Sequence, residues 1–179
     1  MKEYGGYLPL ELREQEEYFK TEEKNIYRLN CGRSAIALAV KKSNWKKIFI
    51  PIYMCYSVLE MCKRYNIPYE LYHINDRLEP INVTVRENEG ILIANYFGIF
   101  SDDRMNRLVE KYKNVILDNT QSFFSRPNMN AYNVYSCRKF IGVSDGAYLI
   151  KKNVNCYKNK IEKDISSDTS SYLLKALDR

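Results

Sequence analysis

The chain is poor in the residues on which most metal and hydrolytic sites depend. Its 179 residues include one histidine, His73. A single imidazole excludes a His-rich metal site and leaves one candidate for Ser-His-Asp chemistry. The five cysteines, Cys31, Cys55, Cys62, Cys137 and Cys156, are odd in number, and no two stand as CxxC. Neither a disulfide framework nor a zinc site is indicated, and reduced thiols in a cytoplasmic protein fit best. No apolar run approaches the roughly 18 residues that span a bilayer. The opening "MKEYGGYLPLEL" lacks the apolar core of a signal peptide. A cytoplasmic location with no membrane partner is the expectation. Internal repeats and low-complexity tracts are absent as well.

What is present describes a folded domain. Hydrophobic residues make up 45% and charged residues 28%, enough for a core and a solvated surface. The net charge of +6 is spread in pairs, Lys41-Lys42, Lys46-Lys47 and Lys151-Lys152, rather than gathered in a stripe. That distribution suits solvated helix ends and loops better than a nucleic-acid surface. The 16 tyrosines are expected mostly at half-buried strand and interface positions.

Short apolar runs alternate with helical segments. "KIFIP" (47–51), "YELYHIN" (69–75), "GILIANY" (90–96), "NVILD" (114–118), "YNVYS" (132–136) and "GAYLIK" (146–151) read as strands. "SAIALAVKK" (34–42), "SVLEMCKRY" (57–65) and "SDDRMNRLVEKYK" (101–113) read as helices. The second helix would bury Val58, Met61, Cys62 and Tyr65. The third would bury Met105, Leu108, Val109 and Tyr112, with Ser101 as its N-cap. This alternation predicts an α/β domain of three layers around a mostly parallel sheet.

In such a sheet, ligands bind beyond the carboxyl ends of the strands. The residues just after the strands are therefore the candidates. "NCGRSAIALAV" turns from a strand end through Gly32 into a helix, so Gly32, Arg33 and Ser34 form either an ordinary cap or an anion cradle. Asp118 ends a buried strand and either caps the next turn or faces a cationic ring nitrogen. Gln121 either orients a ring hydroxyl or lies on the surface. Lys139 follows the strand 132–136, with Arg138 beside it, and is either a solvated charge or a nucleophilic amine. Asn95, Tyr96 and Phe97 end another strand on this rim. A phosphate site, an anion and an amine together are what pyridoxal 5′-phosphate requires.

In this order the motifs resemble the DegT-like sugar aminotransferases, members of the fold-type I pyridoxal 5′-phosphate-dependent enzymes. "GGYLPLEL" resembles their entry segment, and "LNCGRSAIAL" their Ser-Gly-Thr-x-Ala-Leu phosphate loop. "IFIPIYMCYS" resembles the proline-initiated segment after the next strand, and "LDNTQSFF" the Asp-x-x-Gln element. "YSCRKFIGVSDGAYL" resembles the lysine-to-glycine element, with Ala147 where the family repeats glycine. The resemblance implies that Lys139 attaches the cofactor and moves the proton at the substrate Cα. It implies that Asp118 pairs with the ring nitrogen and that Gln121 lies near the 3′ oxygen. Gly32, Arg33, Ser34 and Ser136 would hold the phosphate. The ring-stacking position falls on Cys55, where the family carries an aromatic or histidine, and Tyr53 lies on the same side of the chain as a substitute.

The resemblance further implies an amino-acid donor, a nucleotide-linked keto-sugar acceptor, a role in surface-polysaccharide assembly and a homodimer. Family members that act as dehydratases replace the lysine, so Lys139 points to the aminotransferase branch. Residues 1–155 are expected to form the cofactor-binding large domain. Residues 156–179, ending in "SSYLLKALDR", are expected to begin the connection to a missing C-terminal domain, which would leave this chain a poor catalyst by itself. Two other readings stand beside this one. The first is a truncated, non-catalytic remnant serving as a binding or assembly module. The second is a nucleotide-binding Rossmann-like module, whose GxGxxG fingerprint is missing.

Overall fold

The computed structural model describes residues 16–154. Eight strands form: β1 (Ile26–Leu29), β2 (Lys47–Pro51), β3 (Tyr69–Ile74), β4 (Pro80–Ile81), β5 (Glu89–Ala94), β6 (Val115–Asp118), β7 (Tyr132–Ser136) and β8 (Ala147–Ile150). Three α-helices accompany them: α1 (Gly32–Ser43), α2 (Tyr56–Arg64) and α3 (Asp102–Tyr112). All eight strands join one sheet in the order β1-β8-β7-β6-β5-β2-β3-β4.

The five strands from β7 to β3 run parallel. β8 is antiparallel to both β7 and β1, and β4 is antiparallel to β3. The sheet is thus mixed, parallel at its centre and antiparallel at both edges, where the sequence led us to expect a mostly parallel one. The connections explain the difference. A parallel return needs a crossover of a dozen or more residues, usually a helix. Between β7 and β8 there is only a 3-10 turn, Cys137–Lys139, and a short loop, so the chain comes back antiparallel.

Side chains alternate across the sheet and so feed two cores. Ile48, Ile50, Leu92, Ile116, Val134 and Leu149 face α1 and α2, packing with Ile36, Ala39, Val58, Met61 and Cys62. Their neighbours Phe49, Ile91, Ile93, Val115 and Leu117 face α3, against Met105, Leu108, Val109 and Tyr112. Helix, sheet and helix make the three layers. A third, aromatic cluster of Phe19, Phe123 and Tyr135 packs with Ile26 and Ile150 at the β1–β8–β7 side. Each fully buried isoleucine or leucine contributes about 1.5–3 kcal/mol relative to exposure.

The helix ends follow local chemistry. Ser101 Oγ accepts a hydrogen bond from Arg104 N at 3.3 Å, and Asp102 and Asp103 occupy the first turn of α3. α2 corrects one expectation: Tyr65 is 52% exposed rather than on the buried face. It is the C-cap, and the chain leaves through Asn66 in the left-handed region (φ 52°), which turns the ring away from the core. The described tyrosines divide between buried and exposed positions, with Tyr18, Tyr53, Tyr56 and Tyr65 more than half exposed. Tyr72, Tyr96, Tyr112, Tyr132 and Tyr135 are buried, and the Tyr72 hydroxyl donates to Leu92 O at 2.7 Å.

Among the described residues no helix is long and apolar enough to cross a membrane. The entry segment 5–12, the connecting segment 156–179 and Cys156 lie outside the described residues.

Candidate active site

Strand direction decides what can meet. β1 is antiparallel to β8, and β8 is antiparallel to β7, so β1 points the same way as β7. The carboxyl ends of β1, β7, β6, β5 and β2 therefore share one rim. Gly32, Lys139, Asp118, Tyr96 and Cys55 lie at or just beyond those five ends in turn.

The turn after β1 becomes the N-terminus of α1, with Cys31 as its N-cap. The first backbone bond of the helix runs from Ala35 N to Cys31 O at 3.2 Å. The amides of residues 32–34 precede it and have no carbonyl of their own helix to reach. Gly32 is needed for space: a Cβ there would lie 2.9 Å from Thr120 Cγ2. The Ser34 hydroxyl is engaged within the turn, donating to Asn30 Oδ1 at 2.8 Å and lying 3.3 Å from Cys31 Sγ. Ser34 thus shapes the turn, while backbone amides and the exposed Arg33 remain for an anion. Burial pushes the Cys31 thiol up, but the Ser34 hydroxyl and amide and the Arg33 side chain more than offset this and hold it below its ordinary value.

Asp118 ends β6 with 6% exposure. Its Oδ1 accepts from Thr120 N at 2.9 Å. Burial pushes the carboxyl above the usual range, against the pull of the Thr120 amide and hydroxyl and the charge of Lys139. A carboxylate so placed is a natural partner for a cation that arrives from outside the protein.

Lys139 is exposed in the turn after β7, and Ser136 is buried at that strand's end. Gly146 ties this turn to the α1 turn. Its N–H donates to Asn30 O at 2.8 Å, and its carbonyl accepts from Cys137 N at 2.9 Å. Its φ of +109° is open to glycine and strained for other residues.

Across the rim, Cys55 is exposed at the N-cap of α2, with Ser57 Oγ 3.1 Å from its thiol. The Ser57 hydroxyl and amide hold that thiol below its ordinary value, and the charges of Lys139 and Arg33 add to the effect. Lys139 thus acts electrostatically on both Cys55 and Asp118. Tyr53 is 59% exposed, and its ring lies 5.4 Å from that of Tyr96 at 32°. The Tyr96 hydroxyl donates to Tyr53 O at 2.7 Å; burial, then Asp118 and Tyr53, push its pKa up.

Gln121 is exposed, and its Oε1 accepts from Phe97 N at 3.3 Å. Phe97 has a φ of +56°. Beneath it, Asn95 Nδ2 donates to Asn119 Oδ1 and to Ser125 Oγ, both at 3.2 Å, joining the loops after β5 and β6.

The candidates from the sequence thus gather on one rim, with Ser34 turned to a local role. Sequence reasoning missed Thr120, which touches both Gly32 and Asp118, and Asn119, whose Nδ2 is buried without a hydrogen-bond partner. The signal for Thr120 was a β-branched residue two places after the strand-ending acid. His73 lines a separate groove with Lys47, Glu70, Arg86 and Glu89. There Lys47 pairs with both glutamates, so the charges are internally matched.

The residues fit pyridoxal 5′-phosphate in three respects. A cradle that a Cβ would fill opens at a helix N-terminus, a buried carboxylate stands at the next rim position, and a lysine amine acts electrostatically on that carboxylate.

The fold is one shared by aminotransferases. It matches the histidinol-phosphate aminotransferase from Clostridium acetobutylicum at a TM-score of 0.58 and 14% identity, over 74% of this chain and 47% of that one. It matches the sugar aminotransferase CalS13 from Micromonospora echinospora at 0.55 and 12%, over 73% and 44%. The L-threonine-O-3-phosphate decarboxylase from Porphyromonas gingivalis matches at 0.56 and 16%, over 75% and 47%. This chain spans less than half the length of these proteins. No protein-family model and no curated protein sequence matches it.

Proposed function

We propose that the chain is the cofactor-binding large domain of a fold-type I pyridoxal 5′-phosphate-dependent aminotransferase of the DegT-like kind. Its substrates would be an amino-acid donor and a nucleotide-linked keto-sugar, in the cytoplasm, for surface-polysaccharide assembly. The observation that carries this reading is the convergence of Lys139, Asp118 and the Gly32 turn from three strand ends. The likeness to a sugar aminotransferase supports the substrate class. Exposed apolar side chains along the rim, Ile52, Tyr56, Phe97 and Ile99, support a homodimer.

When bound, pyridoxal 5′-phosphate supplies an electron sink for carbanion chemistry. The α1 amides and Arg33 hold its phosphate. Asp118 keeps a ring nitrogen protonated, because a buried carboxylate favours a cation beside it. Gln121 accepts from Phe97 N through Oε1, so its amide N–H groups are the donors it could offer a ligand. Lys139 is the nucleophile and then the base that takes a proton from the donor's Cα.

A non-catalytic binding module is the second reading, favoured by the exposed Cys55 at the ring-stacking position. Borohydride reduction of the chain with pyridoxal 5′-phosphate, followed by peptide mapping, tests the proposal. Label on Lys139 is expected, with loss in Lys139→Ala. Label on another lysine, or none at saturation, overturns it.

A further inference from the structure

We propose that Tyr96 is the positioning residue of Tyr53, holding the segment after β2 so that the Tyr53 ring stands on the rim as the stacking surface for a flat ligand ring. The proposal rests on the reading of this rim as a pyridoxal 5′-phosphate site.

The segment that carries Tyr53 has little else to hold it. Ile52 N donates to Tyr72 O at 2.8 Å, after which the chain leaves the sheet. At the far end Cys55 O accepts from Val58 N at 2.9 Å, within the first turn of α2, and the Cys55 thiol lies beside Ser57 Oγ. Among the described residues, one hydrogen bond reaches residues 53–55 from another strand end. It runs from the Tyr96 hydroxyl to Tyr53 O, at 2.7 Å.

Tyr96 is itself firmly placed. It follows β5, the strand beside β2, and is 3% exposed. A ring packed on all sides delivers its hydroxyl to a fixed point. The residue before it is pinned as well. Asn95 N donates to Asp118 O at 3.0 Å, Asn95 Oδ1 accepts from Phe100 N at 3.1 Å, and Asn95 Nδ2 donates to Asn119 Oδ1 at 3.2 Å. A chain of contacts thus runs from the end of β6, which carries Asp118, through the end of β5 to Tyr53.

The two rings also meet, with centroids 5.4 Å apart at 32°. Tyr53 is still 59% exposed, so Tyr96 backs part of that ring and leaves the rest open. Cys55 has no ring to offer. An aromatic held in one place presents a flat apolar surface at little entropic cost, which is what a planar ligand needs.

The test uses the full chain. Tyr96→Phe keeps the ring contact and removes the hydrogen bond. In the ligand-free chain, nitrogen-15 order parameters of residues 53–55 are expected to fall, while those of α2 and α3 stay unchanged. Affinity for pyridoxal 5′-phosphate, by equilibrium dialysis, is expected to drop about five- to tenfold, the range for one buried hydrogen bond. Tyr53→Ala should weaken binding as well. The double variant should bind no more weakly than Tyr53→Ala alone, because Tyr96 acts through Tyr53. A role in stability alone would lower the melting temperature and leave both readings where they were. Unchanged order at 53–55 in folded Tyr96→Phe overturns the proposal, whether or not the cofactor binds. Unchanged affinity in a chain that binds the cofactor overturns it too, as does full additivity of the two substitutions. Should Tyr96→Phe fail to fold, Tyr96→Met, which fills the space without a hydroxyl, gives the same readings. Order that falls in a chain that never binds the cofactor would support the hold of Tyr96 on Tyr53 and reject the cofactor reading.

Discussion

The indole of Trp45 lies against the bare Cα of Gly90: a methyl group there would fall 2.1 Å from Trp45 Cε3. Trp45 also meets Tyr132 edge-on, with ring centroids 5.7 Å apart. Both contacts sit at the amino ends of β5 and β7, away from the rim that carries Lys139. Gly90→Ala is therefore expected to cost about 1–3 kcal/mol of stability, with cofactor affinity unchanged. Urea unfolding followed by Trp45 fluorescence gives the first quantity and dialysis the second.

Asp118 makes the ligand-free protein less stable as pH rises. Its carboxyl is raised above the usual range by burial. Between the ordinary carboxylate value and that raised value the folded state binds more protons than the unfolded one, so stability falls with rising pH. Asp118→Asn is expected to melt higher than wild type at neutral pH, at about 2–4 °C per kcal/mol gained. The gap should close below the ordinary carboxylate range. Thermal melts across pH check this, and a gap that widens on acidification would contradict it.

Cys55, Cys62 and Cys137 should react in two classes. Cys55 is exposed and its thiol is lowered, first by Ser57. Cys62 and Cys137 are buried and pushed up to about 11 by that burial. Alkylation with iodoacetamide at neutral pH is expected to label Cys55 well before Cys62 and Cys137. Ser57→Ala and Lys139→Ala should each slow the Cys55 reaction, as read by mass spectrometry.

Ser101 caps α3 through Arg104 N. Ser101→Ala is expected to destabilise the chain by about 0.5–2 kcal/mol, measured by urea denaturation. Ser101→Asp, which restores an acceptor beside the helix dipole, should recover most of the loss.

The regular elements were legible because their signals are local. The strands at 47–51 and 132–136 coincide with β2 and β7, and the four buried residues of α3 all lie in the core. What escaped the sequence depends on partners far along the chain. The antiparallel edges follow from how a loop returns, and β4 is two residues whose pairing with His73 and Ile74 leaves no pattern. Tyr65 fits the period of α2, yet the helix stops one residue before it. At the rim, strand ends flagged Asp118 and Lys139 without help from contacts. Thr120 was passed over because the approach that singles it out is to Gly32, 88 positions earlier in the numbering. Ser34 looked like an anion ligand because a serine's neighbours, here Asn30, decide where its proton goes.

β1 sits at the edge of the sheet, and β8 is its neighbour there, with Ile26 opposite Ile150. A ribosome delivers β1 among the first described strands and β8 last. Until residue 150 has emerged, the strand that leads into the Gly32 turn has no backbone partner, and the bond from Gly146 to Asn30 cannot form. Such long-range pairing is slow to close. A nascent chain halted after β7 would carry Asp118 and β6 in place while the Gly32 turn still lacked its anchor. The turn between β1 and α1 is therefore among the last parts of the described fold to be fastened.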